Sequence, residues 1–194
     1  MSQFWFYLKL GLTHVLDYQA YDHVLFFIVL TIPYTFKNWE RVLWLVTIFT
    51  IGHTASLLLA VYGIADFNIA LIEFLIPVTI FITALYNITS SGKGAKKEKW
   101  GLTFFTTLFF GLIHGIGFSN YFKQIVAGED TKLIPSLEFA LGIEVAQVIV
   151  VLIVLIISSL FLTIFRINKR DWIMIISAIV LGMVIQMLIK TYPF

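Results

Sequence analysis

The chain has 194 residues, of which 60% are hydrophobic and 12% are charged, and its formal net charge is +2. The charged share is about half of the roughly 25% found in soluble domains, and the mean hydropathy is +0.96. Together these values exclude an ordinary soluble protein and predict an integral membrane protein surrounded by lipid. The chain has no cysteine, which restricts any metal site to nitrogen and oxygen ligands. Its basic residues lie in loops between apolar runs, a distribution that is typical of membrane topology and not of nucleic-acid binding.

Six apolar runs are long enough to cross a hydrocarbon core of roughly 30 Å. They predict an all-α, polytopic bundle of transmembrane helices that forms a single domain over residues 1–194. The predicted spans lie near residues 4–33, 41–62, 67–89, 100–122, 133–165 and 171–191. Residues 90–100, SSGKGAKKEKW, form the clearest loop, because they contain no apolar face.

The loops on the two sides of the predicted bundle differ in charge. One side carries nine basic residues: Lys37, Arg41, Lys93, Lys96, Lys97, Lys99, Arg166, Lys169 and Arg170. The other side carries four: Lys9, Lys123, Lys132 and Lys190. The positive-inside rule therefore places the lysine-rich loop in the cytoplasm and both termini outside.

The first span contains an unusual polar stretch, THVLDYQAYDHVLF, at residues 13–26. His14 and Asp17 share a helical face, but His14 and His23 are nine residues apart, which on a regular helix separates them by about 180° and roughly 13 Å. Three arrangements are open: a break near residues 17–21, two separate metal sites, or one histidine that only orients a ligand. We expect the break, with Asp22 and His23 as metal ligands.

Spans 1 and 5, near residues 4–33 and 133–165, are longer than one straight crossing requires. Each would exceed about 45 Å as a regular helix. Each is therefore expected to begin with an interfacial piece, to tilt strongly, or to break.

The following spans add further polar side chains in chain order. His53 lies in the second span among hydroxyl-bearing neighbours, Glu73 opens the third, and His114 lies near the end of the fourth. Gly111 and Gly115, on either side of His114, predict a face for close helix packing. An acid at mid-membrane costs about 2.5–3.5 kcal/mol on insertion scales, so these groups need compensation.

Glu144 and Gln147 lie one helical turn apart in the fifth span. With both termini outside, the histidines and acids of spans 1 to 5 fall between the midplane and the outer surface. This common depth predicts one polar site in the outer half of the membrane.

The motifs GLTHVLDYQAYDHVLFFIVL, FTIGHTASL, LIEFLIPVTI, FGLIHGIGF and FALGIEVAQ resemble the HupE/UreJ family of small membrane proteins. This resemblance implies a nickel or cobalt permease with six transmembrane helices in a bacterial cytoplasmic membrane. It also implies a metal-binding role for His14, Asp22 and His23, and by a looser match for His114, Glu144 and Gln147. The spacing between His14 and the Asp22–His23 pair is longer than in the family's pattern.

Two functions follow from these residues. The first is a permease for a divalent metal ion, namely nickel, cobalt or zinc, so that the expected partners are this ion and membrane lipid, with no nucleic acid. The second is an intramembrane zinc-dependent hydrolase or transferase acting on a lipid or lipidated substrate, with Glu73 or Glu144 as general base. A membrane anchor or sensor without ion chemistry would leave the buried acids and histidines uncompensated.

Both functions use the same candidate residues. The expected metal ligands are His14, Asp22, His23, His53, His114, Glu73 and Glu144. Asp17 and Gln147 are expected to contact these ligands and not the ion itself.

Overall fold

A computed structural model describes residues 2–18, 21–64, 67–91 and 100–193. Within these residues the chain forms eight α-helices and no strand, which confirms the all-α prediction. The helices are α1 (Gln3–Leu16), α2 (Asp22–Thr31), α3 (Trp39–Val61), α4 (Ile69–Ser90), α5 (Trp100–Gly117), α6 (Ser119–Ile125), α7 (Leu133–Thr163) and α8 (Lys169–Thr191). Most of the predicted lysine-rich loop, residues 92–99, lies outside the described residues.

Four of the described helices are long and apolar enough to cross a membrane: α3 with the turn before it, α4, α7 and α8. Two shorter apolar helices accompany them, α2 and residues Thr103–Gly117 of α5. The chain is therefore an integral membrane protein. The number of six crossings and the outside position of both termini stay predictions.

The first predicted span is interrupted between α1 and α2. Helix α1 ends at Leu16, Asp17 has extended backbone angles (φ −66, ψ 120), and α2 begins at Asp22. The ring centroids of His14 and His23 are consequently 4.7 Å apart, where a continuous helix would separate the two residues by about 13 Å along its axis. The predicted break near residues 17–21 is confirmed in residues 17, 18 and 21, the part of this connection that is described.

The fifth predicted span behaves differently from the first. Helix α7 runs without a break over its 31 residues, which corresponds to about 46 Å at 1.5 Å per residue. It is thus longer than the hydrocarbon core and must tilt or extend beyond it.

Glycines bring two pairs of helices into close contact. In the pair α3 and α5, Gly111 and Gly115 lie against the backbone of Phe49 and the carbonyl oxygen of His53. In the pair α1 and α7, Gly11 and Gly142 face the backbone of the opposite helix. A Cβ atom at any of these glycines would overlap a backbone oxygen, so the predicted packing face of α5 is confirmed.

Helix α2 lies in the interior of the bundle, where it packs against α4 and α7. Seven of its ten residues are buried: His23, Leu25, Phe26, Phe27, Val29, Leu30 and Thr31. Because His23 occupies the first turn of this buried helix, its side chain is held among the longer helices instead of facing lipid.

Candidate metal centre

Four histidines from four helices lie together at the break in the first span. One ring nitrogen each from His14, His23 and His53 lies within 4.8 Å of the others. The ring of His114 is next to that of His23, with 5.1 Å between their centroids. We refer to these four residues as the histidine cluster.

The spacing of the three ring nitrogens suits a single ion. A metal that binds imidazole at about 2.1 Å keeps its ligand atoms no more than about 4.2 Å apart. The three nitrogens lie within 4.8 Å of one another, so a movement of under about 1 Å brings them to this range. The cluster can therefore supply three ligands to one ion without rearrangement of the helices.

Hydrogen bonds set the tautomers of two of these rings. His114 Nδ1 lies 2.8 Å from the carbonyl oxygen of Phe110, which can only accept a hydrogen bond. His23 Nδ1 lies 3.0 Å from Asp22 Oδ1, and the same oxygen accepts the backbone N–H of His23 at 2.7 Å. In both neutral rings Nδ1 therefore carries the proton, and Nε2 presents a lone pair that can bind a cation.

Several ring nitrogens of the histidine cluster are buried and have no hydrogen-bond partner within the described residues. These are Nε2 of His14, His23 and His114 and both nitrogens of His53. A buried polar atom without a partner costs roughly 1–3 kcal/mol. A neutral imidazole carries its proton on one nitrogen, so each of the four rings can present one lone pair. Four lone pairs in one place suit a divalent cation, which accepts electron pairs.

Phenylalanine rings surround the histidine cluster. Phe118 lies 4.0 Å from the ring of His14, and Phe139, which stacks on Phe118, lies 5.6 Å from it. Phe26 and Phe49 contact the ring of His114 at 5.6 and 5.1 Å. These rings exclude water from most of the cluster and strengthen electrostatic interactions with a bound cation.

A cleft of about 510 Å³ reaches the histidine cluster beside His14. It is lined by Leu10, Thr13, His14, Leu16, Asp17, Phe118 and Tyr121. His14 is half-buried, since its ring borders this cleft while its Nε2 atom is buried in the cluster. His14 thus connects the exterior to the other three histidines, which are buried.

The acids predicted to contribute to the site lie at different distances from the cluster. Asp22 contacts His23 directly, and Asp17 lines the cleft at the end of α1. Glu73 is exposed on α4. Glu144 accepts hydrogen bonds from the hydroxyls of two threonines on α3, one of which also contacts Gln147. The role of each acid in metal binding stays a prediction.

Helix ends add a further electrostatic contribution. His14 and His114 occupy the last turns of α1 and α5, where the unpaired carbonyl groups give a helix its partial negative charge. The first turn of α2 has the opposite polarity, and it carries the carboxylate of Asp22. The surroundings of the cluster therefore favour a cation.

The four phenylalanines and Thr47 lie at or near this site and were not among the residues predicted from the sequence. The four phenylalanines are indistinguishable from the rest of the chain's 19. Thr47 had a weak signal that was missed, since Thr47, Thr50 and His53 recur every three residues along α3. A search for polar residues at this spacing would have found it.

Comparison with protein families matches residues 1–191, nearly the whole chain, to the family described as HupE / UreJ protein. Searches of the curated proteins and of the solved structures found no match.

Proposed function

Because the chain belongs to the HupE/UreJ family, we propose that it is a permease for a divalent metal ion of the nickel, cobalt or zinc class. The observation that carries this proposal is the group of ring nitrogens from His14, His23 and His53 within 4.8 Å of one another. These nitrogens are buried, and together they form a ligand set that borderline divalent ions prefer.

The ion enters through the cleft and binds first at His14, the member of the cluster that borders it. It then exchanges its water ligands for the imidazole nitrogens of His23 and His53. Asp22 holds the ring of His23 through Nδ1 and contributes negative charge, so we assign it to positioning this ligand. His114 completes the cluster on the side opposite the cleft.

The proposed topology has six crossings, with residues 1–194 as one domain and both termini outside. In this arrangement α1 and α2 together form the first crossing, and the histidine cluster lies in the outer half. The cleft then opens toward the outside of a bacterial cytoplasmic membrane, and the transported ion moves inward.

Transport by the purified protein is the direct test. Liposomes that contain the protein and an internal chelating dye are expected to accumulate at least one of nickel, cobalt and zinc faster than protein-free liposomes. Replacement of His53 by alanine is expected to lower this rate at least about tenfold, because it removes one of three nitrogen ligands. Manganese serves as a comparison ion, since it prefers oxygen ligands.

The same experiment also distinguishes the permease from the second function, a metal-dependent hydrolase. The cleft beside His14 is the observation that favours it, because an open position next to the ligands could admit a substrate. A tightly bound ion without flux would support the hydrolase. Absence of both flux and bound ion, in protein purified without chelator, would contradict both functions.

Replacement of Asp22 by asparagine is expected to weaken metal binding about 10- to 100-fold, because partners that orient a ligating histidine typically contribute this much. Isothermal titration of the purified variant measures the change. The matched control is Asp171→Asn, since Asp171 lies in the first turn of α8 as Asp22 does in α2, and is exposed. Equal affinities of both variants and the wild type would show that Asp22 does not hold His23 for the ion.

A further inference from the structure

The end of α2 has a carbonyl group that its own helix cannot pair. Ile32, the residue after α2, has helical backbone angles (φ −58, ψ −27), and its N–H donates to the carbonyl oxygen of Ile28 at 3.0 Å. On the same helical path, the next N–H would donate to the carbonyl oxygen of Val29. Residue 33 is proline, which has no N–H, so the carbonyl of Val29 lacks this bond.

Asn87 on the neighbouring helix α4 supplies the missing donor. Its Nδ2 atom donates a hydrogen bond of 2.7 Å to the carbonyl oxygen of Val29. Asn87 is only 5% exposed and Val29 is fully buried, so bulk water does not reach this carbonyl. Because a buried carbonyl without a partner is destabilising, the amide of Asn87 joins the end of α2 to α4 at one defined point.

Helix α2 depends on such a contact because it is not part of a longer helix. It has ten residues, the break after Leu16 precedes it, and Pro33 follows it. Apart from His23 and Thr31, its buried residues are apolar. Apolar surfaces specify the axial position of a helix weakly, whereas a single polar contact between helices selects one position.

The axial position of α2 determines where His23 lies in the histidine cluster. His23 is six residues before Val29 on the same helix, about 9 Å along its axis, while the other three histidines lie on α1, α3 and α5. A shift of α2 by one residue would move His23 by about 1.5 Å. That is more than the adjustment of under about 1 Å that brings the three ring nitrogens to metal-binding distances.

We propose that Asn87 is a positioning residue of the metal centre, which sets the place of His23 by holding the carbonyl of Val29. This inference rests on the proposed function, since it concerns an ion bound at the histidine cluster. The contact made by Asn87 is about 9 Å from His23 along α2, so Asn87 acts through the backbone of this helix and not as a ligand.

Cobalt binding tests the inference, because the visible absorption of bound Co²⁺ depends on the number and geometry of its ligands. The variant Asn87→Leu keeps a side chain of similar size and removes the donor. It is expected to bind Co²⁺ at least about tenfold more weakly and to change the absorption spectrum of the bound ion, because His23 is displaced. A wild-type affinity, or a wild-type spectrum in the folded variant, would overturn the inference.

The substitution Pro33→Ala makes the test specific to the hydrogen bond. Alanine at this position has an N–H that can donate to the carbonyl of Val29, as in a regular helix. The double variant Asn87→Leu with Pro33→Ala is therefore expected to regain the wild-type spectrum and an affinity within about threefold of the wild type. Pro33→Ala alone is expected to bind Co²⁺ as the wild type does. A double variant that binds as weakly as Asn87→Leu would contradict the inference.

Asn68→Leu provides the matched control on α4. Asn68 is exposed, and its side chain accepts a hydrogen bond from the N–H of Leu71 at the start of the helix. Its replacement is expected to lower the temperature of thermal unfolding, because a helix cap is lost, and to leave the Co²⁺ spectrum unchanged. The same spectral change in Asn68→Leu as in Asn87→Leu would assign the effect to α4 as a whole and overturn the inference.

Two further comparisons keep the result decisive. Should Asn87→Leu fail to fold, the double variant is compared with Pro33→Ala alone: equal Co²⁺ binding is expected, and weaker binding by the double variant would refute the role of Asn87. Lack of Co²⁺ binding by the wild type would contradict the proposed function itself. Binding by the wild type that Asn87→Leu leaves unchanged would remove only the role of Asn87.

Discussion

Replacement of His23 by alanine is expected to weaken metal binding at least about 100-fold, the largest effect of any single substitution in the histidine cluster. His23 has the central position, with ring centroids 4.7 Å from His14, 5.8 Å from His53 and 5.1 Å from His114. Its Nε2 atom is buried and its tautomer is set by Asp22, so it is the ligand best prepared for an ion. Metal analysis of the purified protein and isothermal titration measure the change.

The control for this prediction is Ile28→Ala on the same helix. Ile28 packs against the hydrophobic core around α2, so its truncation is expected to lower stability by about 1–3 kcal/mol and to leave metal affinity unchanged. A wild-type metal content in His23→Ala would remove His23 from the site. An equal loss of metal in Ile28→Ala would instead assign the effect to the position of α2.

Replacement of Gly115 by alanine is expected to separate α3 from α5. A Cβ atom at Gly115 would overlap the carbonyl oxygen of His53 and the hydroxyl of Ser56, and neither helix can yield without a backbone shift. Overpacking of this kind costs about 1–3 kcal/mol. Because the same contact sets the distance between His53 and His114, metal affinity is expected to fall together with the temperature of thermal unfolding.

Gly182→Ala provides the matched control, since a Cβ atom at Gly182 on α8 meets no atom within 4 Å. This variant is expected to be neutral or slightly stabilising, because alanine restricts the unfolded chain. Thermal unfolding in detergent, followed by tryptophan fluorescence, compares the two. Equal stability of Gly115→Ala and the wild type would show that the α3–α5 interface can expand without cost.

The interruption of the first span could be predicted from the sequence because helical geometry is strict. Nine residues place His14 and His23 on opposite sides of a regular helix, so a shared site required a break. The glycines of α5 were informative for a similar reason, since small residues four apart form a surface that a neighbouring helix can approach. In both cases a local pattern has one dominant structural consequence.

Other features depended on contacts between distant parts of the chain. No local pattern distinguishes Phe118 and Phe139, which contact His14, from phenylalanines that face lipid. The pairing of Glu144 with Thr47 and Thr50 requires the register between α3 and α7, which hydropathy does not specify. Apolar helices in a membrane carry little information about which face meets which neighbour, because lipid and protein interior are both apolar.

The break between α1 and α2 has a consequence for hydration. The last four carbonyl groups of α1 have no partner within their helix, and at bilayer depth such groups must be satisfied by protein or by water. The cleft beside them, of about 510 Å³, has room for several water molecules. An ion that approaches His14 can therefore keep part of its hydration shell until imidazole nitrogens replace it. In the proposed transport, the free energy of dehydration is then divided into several small steps, which lowers the barrier to crossing.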